Sequence, residues 1–275
     1  MLCAKPYRRG IEAFPCGRCT PCLLNRQSVW ATRCHLESLT HGDNIFITLT
    51  YDDEHLPTGR KALRDSVQLF LKRWRQALPQ KIRYFIALEY GKLGRAHFHG
   101  IIFNASRFDA KSLDTAWAQG FTHVGECNQK TINYVTKYIT KGDSRAKDEK
   151  DRKTFALMSR NKGIGYSAIS HVGKDLLAQD SVAKQVQLGD VPKGIRINAR
   201  TRPLGRYLTG KLRLAVGHPT HNEPESERGS RLNLQAAAAR SEGTIRFLHG
   251  DAAARRNSTL KADFAIDLKT SKEKL

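Results

Sequence analysis

Residues 82–103 read IRYFIALEYGKLGRAHFHGIIF, from Ile82 to Phe103. Two apolar runs rich in β-branched and aromatic residues, 82–89 and 97–103, flank YGKLGRA, whose two glycines suit a hairpin loop. On a strand, residues i and i+2 project to one face, so His97 and His99 point the same way. Glu89 ends the first run, and a turn through 90–96 brings it beside His97 on that face. Two imidazoles and a carboxylate gathered on one strand pair suit a divalent cation. Ten histidines in 275 residues give a His-x-His pair by chance about 0.4 times. The pair therefore draws its meaning from Glu89 and the hairpin; the plain alternative is two strand histidines facing solvent.

Outward from this hairpin the pattern is regular. Residues 20–40 predict a helix, with Leu23, Trp30 and Cys34 at helical spacing and Gly42 as a stop. IFITLTY at 45–51 alternates and predicts a strand. Val67, Phe70, Leu71, Trp74 and Leu78 form an apolar stripe, with Lys72, Arg73 and Arg75 outside it, on a helix ending at Pro79. After the hairpin come a helix with Asp109 as N-cap and Gly120 as stop, a short strand FTHV, and a helix from about Asn128 to Lys141 closed by Gly142. The order β-α-β-β-α-β plus one helix is the split-βαβ, RRM-like α+β arrangement, an antiparallel sheet with helices on one face. The expected divisions are an N-terminal Cys-rich segment and helix at 1–44, a core at 45–142, a basic C-terminal region at 143–217 opening on a charged linker at 143–153, and a polar tail at 218–275. That tail, with an Ala run at 236–239, has a composition prone to disorder.

The last helix of the core carries a second signal, Thr131-Ile-Asn-Tyr134-Val-Thr-Lys137-Tyr138-Ile-Thr-Lys141. At about 100° per residue, Ile132, Val135 and Ile139 form a core stripe. Tyr134, Lys137, Tyr138 and Lys141 cluster within about 100° on the opposite side, the tyrosines one turn apart. A phenol with a pKa near 10 is a poor nucleophile at neutral pH unless an ammonium group and a metal-polarised phosphate assist it. Taken alone, the helix reads as two surface tyrosines with basic neighbours. Joined to the histidine pair on a basic domain, it reads as catalytic.

The chain has 47 Lys+Arg against 26 Asp+Glu, a net charge of +21. That excess favours polyanions through phosphate contacts and counterion release, and nucleic acid is the expected partner. The apolar runs are only a few residues long, which excludes a spanning helix, since about 20 are needed. The first residues lack an apolar signal segment, so the expected location is the cytoplasm of the cell that makes the protein, with no membrane partner. Six cysteines stand at 3, 16, 19, 22, 34 and 127. Cys16, Cys19 and Cys22 have CxxCxxC spacing, Cys3 supplies a fourth thiolate, and Cys34 is the fallback. Such a set suits structural Zn²⁺ or an iron–sulfur cluster, or free thiols.

Three ordered segments resemble the motifs of HUH endonucleases, the rolling-circle replication initiators. IFITLTYDD at 45–53 resembles the first motif, HFHG at 97–100 the His-hydrophobic-His motif, and YVTKYITK at 134–141 the two-tyrosine motif of bacteriophage initiators. The similarity extends to gokushovirus-type microvirus initiators, in which a PCGxCxxC segment precedes a helix with Trp, as residues 15–22 and Trp30 do here. GIGY at 163–166 and PLGRYL at 203–208 also resemble that group. The similarity covers roughly residues 1–215.

The resemblance implies an HUH fold and a metal-dependent endonuclease and strand transferase acting at a single-stranded viral origin in a bacterial host. It implies that His97, His99 and Glu89 hold Mg²⁺ or Mn²⁺. A tyrosine then attacks the phosphorus, leaving a 5′-phosphotyrosine and a free 3′-OH for the host replication machinery, and the second tyrosine runs the return reaction. Lys137 and Lys141 stabilise phenolate or phosphate. Tyr138 ranks slightly above Tyr134 as first nucleophile. The competing readings are a non-catalytic nucleic-acid binder with a zinc module, and a transposase or relaxase of the same fold. Among weaker signals, Asp52, Asp53, Glu54 and His55 read as a solvated loop. Lys72, Arg73, Arg75, Lys81 and Arg83 read as a solvated basic face, and Trp30, Trp74 and Trp117 as core.

Overall fold

A computed structural model describes residues 2–10, 12–91, 94–141, 154–178, 190–197 and 200–218. In chain order these form β1 (Tyr7–Arg9), β2 (Glu12–Phe14), α1 (Thr20–Ser38), β3 (Asn44–Tyr51), α2 (Arg60–Ala77), β4 (Arg83–Tyr90) and β5 (Ala96–Phe103). A 3₁₀ turn (Asp109–Ser112), α3 (Leu113–Trp117), β6 (Gly120–Glu126), α4 (Gln129–Lys141) and β7 (Ala156–Met158) follow. Then come α5 (Tyr166–Leu177), β8 (Gly194–Ile197), β9 (Arg200–Pro203) and α6 (Gly205–Ala215). The expected Gly142 stop, the 143–153 linker and the tail beyond residue 218 lie outside the described residues.

The chain divides into two compact units, one of Met1–Arg26, Lys174–Pro192 and Leu212–Leu275, the other of Gln27–Gly173 and Lys193–Lys211. The second holds a five-stranded antiparallel sheet in the order β6-β3-β5-β4-β7. Alternation decides how it is covered. Ile45, Ile47 and Leu49 of β3, Ile86 and Leu88 of β4, and Phe98 and Ile102 of β5 meet α2 and α3 through Phe70, Trp74 and Trp117. Phe46, Phe85, Ala87, Ile101 and Phe103 face the other way, onto Ala31 and Cys34 of α1 and Ile132, Val135 and Tyr138 of α4. The two crossover helices of the split βαβ unit thus share one face, as expected. The flanking helices α1 and α4 cover the other. Each large side chain so buried stabilises the fold by about 1.5–3 kcal/mol.

Gly100 explains why glycine follows the histidine pair. It sits between β3 and β4 in the ladder, opposite Ile47 and Ile86. A Cβ there would lie 2.8 Å from Ile86 Cγ1 and 3.2 Å from Ile47 Cγ1. Only a residue without a side chain lets those two isoleucines close over the strand.

Local expectations need correction between 109 and 120. Asp109 caps no helix. Its Oδ2 accepts from the Ser106 amide at 2.7 Å, Ser106 Oγ at 2.9 Å and Gln80 Nε2 at 2.9 Å, donors nearer than any in the following turn. The helix ends at Trp117, with Ala118 left-handed at φ 49°. Gly120 instead opens β6 at φ 138°, where a Cβ would lie 2.4 Å from the Asp52 amide nitrogen. The helix before Pro79 also starts earlier than its stripe suggests, at Arg60. The edge strand β7, only three residues long, has no readable period in the sequence.

In the first unit, β1 and β2 form a hairpin with Tyr7 opposite Phe14. Arg213 Nε donates to Asp190 Oδ1 at 2.7 Å, which holds the Asp190 carboxyl below its ordinary range despite partial burial. Among the described residues no helix is long and apolar enough to cross a membrane.

Candidate metal and tyrosine site

The β4–β5 ladder pairs Glu89 with His97 and Ala87 with His99, and the β3–β5 ladder pairs Thr48 with His99. All three candidate ligands therefore rise from the α4-facing side of the sheet. His97 Nε2 is 3.2 Å and His99 Nε2 3.0 Å from the same oxygen, Glu89 Oε2. The three ligand atoms lie within 4.8 Å of one another. Neighbouring ligands of an octahedral cation at about 2.1 Å are about 3.0 Å apart, so these groups can hold one ion with little movement. Outer contacts orient them. His97 Nδ1–H donates to the Arg95 carbonyl at 3.2 Å, which leaves Nε2 with its lone pair toward Glu89. His99 Nδ1 meets Thr48 Oγ1 at 3.0 Å. Its ring stacks on Phe46 at 5.8 Å and on Tyr138 at 5.4 Å.

Asn128 starts α4 by capping it, accepting from the Lys130 and Thr131 amides at 2.9 and 3.1 Å. That helix carries both tyrosines to the histidines. Tyr134 Oη lies 3.3 Å from His99 Nε2 and donates to Glu89 Oε2 at 3.5 Å. Tyr134 and Tyr138 stand edge to face at 5.1 Å. They differ in access, since Tyr134 is 38% exposed and Tyr138 only 2%. The expected placement of both tyrosines opposite the core stripe is corrected here. Tyr138 is about 60° from Val135 on the helix, close enough to join the core beside it. Burial raises both phenols above the ordinary tyrosine range, and the Glu89 charge raises them further. Lys137 sits half-buried on the same helix. Lys141 ends it, and its side chain lies outside the described residues.

The sequence reading missed Thr48, Phe46 and Arg95. Thr48 and Phe46 stand in the first-motif strand at the positions facing α4, and that alternation is the signal that points to them. Of the acidic loop, Asp52 pairs with His55 at 2.7 Å and Asp53 with Arg95 at 2.6 Å.

A separate group in the first unit gathers Cys3, Cys16, Cys19 and Cys22, with all four sulfurs within 4.8 Å. Cys34, the fallback, is fully buried in the core of the second unit. Cys3 and Cys19 Sγ are 3.8 Å apart, the edge of a tetrahedron of sulfurs about 2.3 Å from a central ion. Backbone amides point at the sulfurs, from Cys16 to Cys3 at 3.3 Å, Cys19 to Cys16 at 3.4 Å and Ala4 to Cys19 at 3.4 Å. The Arg18 and Cys19 amides lower Cys16 to about 6, whereas burial pushes Cys22 up to about 12. The donor set and spacing fit a tetrahedral metal.

Residues 44–143 match the family model for the ORF2 type of replication-associated protein. The chain is 34% identical to replication-associated protein VP4 of Bdellovibrio phage phiMH2K, over 50% of the chain and 51% of that relative. It is 28% identical to replication-associated protein ORF2 of Spiroplasma virus 4, over 66% of each. It is 30% identical to replication-associated protein ORF4 of Chlamydia phage 1, over 46% of the chain and 38% of that relative. The chain thus spans about half the length of the first of these relatives. No solved structure matches it. With the ordered motifs and the antiparallel sheet, these similarities identify the chain as a member of the phage replication-associated proteins of the microvirus type.

Proposed function

We propose that the protein initiates rolling-circle replication by nicking single-stranded viral origin DNA and rejoining it, as a metal-dependent HUH endonuclease and strand transferase. The observation that carries this reading is the convergence of Glu89, His97, His99 and the Tyr134 hydroxyl around one point. A non-catalytic nucleic-acid binder has no use for a carboxylate, two imidazoles and a phenol so arranged. The relatives' names support a role in replication, in the cytoplasm of an infected bacterium.

When bound at Glu89, His97 and His99, Mg²⁺ or Mn²⁺ supplies Lewis-acid polarisation of the scissile phosphate. The chain's own groups do the rest. Tyr134, the exposed phenol, is the first nucleophile. Its oxygen forms a bond to the phosphorus, the bond to the 3′ oxygen breaks, and the phenol proton is balanced by the one the 3′ oxygen gains. The products are a 5′-phosphotyrosine and a 3′-OH that a host polymerase extends. Tyr138, one turn further on, receives the second strand in the return reaction. Lys137 and Lys141 compensate phosphate charge. Neutralising Glu89 removes one of the influences that hold both phenols high.

The Cys3, Cys16, Cys19 and Cys22 group binds structural Zn²⁺ on this reading. Elemental analysis of protein purified without chelator should return about one zinc per chain, and absence of metal removes this assignment.

The deciding experiment incubates the full chain with labelled single-stranded origin DNA and Mn²⁺, then separates under denaturing conditions. A covalent protein–DNA species is expected. Its absence across Mg²⁺ and Mn²⁺ titrations at neutral and mildly alkaline pH overturns the enzymatic reading.

A further inference from the structure

A cavity of about 570 Å³ lies where α2, the start of β4 and the end of β7 meet, lined by Arg64, Arg75, Lys81, Arg83 and Arg160 beside the Tyr84 ring. None of its lining residues is Asp or Glu. Arg64 and Arg75 fall within about 20° of each other on α2, on the flank of its buried stripe. Arg75 lies over Tyr84 at 5.1 Å. Arg83 is already engaged, paired with Glu37 and donating to the Asn161 carbonyl at 2.9 Å. Arg64, Arg75, Lys81 and Arg160 are exposed. Of the five basic residues that the sequence suggested for phosphate tracking, Lys72 and Arg73 do not line this cavity, and Arg64 and Arg160 do.

Four exposed cations converge on one concavity without a carboxylate, and that is a standing electrostatic cost unless an anion offsets it. The cations come from three separate segments and remain open to solvent. That spacing suits several phosphates met in succession rather than one enclosed small anion. Arg83 and Glu89 stand at opposite ends of β4, about 20 Å apart at 3.3–3.4 Å per residue. A strand seated here is therefore held away from the scissile phosphate. We infer that this cavity is a second contact for the phosphodiester backbone of DNA, gripping the substrate outside the cleavage point without reading its sequence. The inference rests on the reading of the protein as a DNA-acting initiator.

The test compares the full-length protein with the variant Arg64→Gln/Arg75→Gln/Lys81→Gln/Arg160→Gln, leaving the structural Arg83 in place. A control removes the same charge at exposed positions elsewhere, Lys72→Gln/Arg107→Gln/Lys111→Gln/Lys174→Gln. Binding of a fluorescent 30-nucleotide single strand is followed by anisotropy between 50 and 200 mM salt. Loss of four phosphate contacts should flatten the log–log salt slope by roughly 2–3, at about 0.7 per contact. The control should keep nearly the wild-type slope. Adduct formation on an octamer spanning only the cleavage point should match wild type. If the quadruple variant does not fold, the pairs Arg64→Gln/Arg160→Gln and Arg75→Gln/Lys81→Gln should each give about half the change. An unchanged slope, or an equal loss in the control, overturns the inference. So does 1:1 competition by ATP that abolishes only the cavity-dependent share, because it marks a small-anion site. If wild type forms no adduct yet the slope changes as expected, the nuclease reading fails and the backbone contact stands.

Discussion

Thr48 Oγ1 and His99 Nδ1 face each other at 3.0 Å across the β3–β5 ladder. For His99 to offer Nε2 to a cation, Nδ1 must carry the proton and donate it to Thr48. Thr48 is thus a positioning residue. Thr48→Val keeps the shape and removes the acceptor. The Mn²⁺ concentration for half-maximal adduct formation should rise roughly 10–100-fold, with near-normal yield at saturating metal. An unshifted metal titration shows that the contact does not tune the site.

Glu89 Oε2 is the shared contact of both imidazoles and of Tyr134. Glu89→Gln keeps the size and removes the charge that completes the cation site. Adduct yield should fall at least about 100-fold, and added Mn²⁺ should not restore it. Wild type stripped with chelator should lose activity and regain it with Mn²⁺. Activity of Glu89→Gln at wild-type metal concentrations removes Glu89 from the ligand set.

Access separates the two phenols. Tyr134→Phe should cut formation of the first covalent adduct at least about 1,000-fold. Tyr138→Phe should still form one adduct but fail to transfer the strand and close a circle. Mapping the adduct by peptide mass spectrometry checks the order, and an adduct on Tyr138 alone in the wild type reverses it.

Gly100→Ala forces a methyl group against Ile86 and Ile47. Overpacking of this kind costs about 1–3 kcal/mol. Denaturant unfolding should show that loss in midpoint with little change in slope. The companion change Ile86→Val should recover part of it, and failure of any destabilisation means the strands shift freely at this point.

Tyr51 is fully buried, its hydroxyl bonded to Ser66, and burial pushes it up to about 12 despite that bond. Its folded value lies above the unfolded value of about 10, so its neutral form stabilises the fold fully below pH 10. That contribution is lost as pH rises through about 12. Two units correspond to about 2–3 kcal/mol. Between pH 9 and pH 12.5 wild type should lose that much more stability than Tyr51→Phe. Parallel losses show that the phenol does not drive the alkaline transition.

How much is readable follows from how local each feature is. Glu89, His97 and His99 are legible because strand alternation and a seven-residue connection fix their common face within one hairpin. The Cys16, Cys19 and Cys22 spacing is legible for the same reason. The choice of Cys3 over Cys34 is not, because only packing sends Cys34 into the core. Thr48 and Phe46 lie about 50 residues from His99 in the chain, and no local period announces a partner across strands. The tyrosine helix and its spacing are in the sequence, but the side on which the sheet meets it is not.

By itself, then, the sequence determined the order of strands and helices, the metal-ligating hairpin and the polyanion-seeking charge, all set by neighbours a few residues apart. The tertiary structure alone decided that Tyr138 is buried and Tyr134 open, that Thr48 orients His99, and that cations from three segments share one cavity. Those outcomes depend on which distant surfaces exclude water together, and that is settled only when the sheet and its helices close.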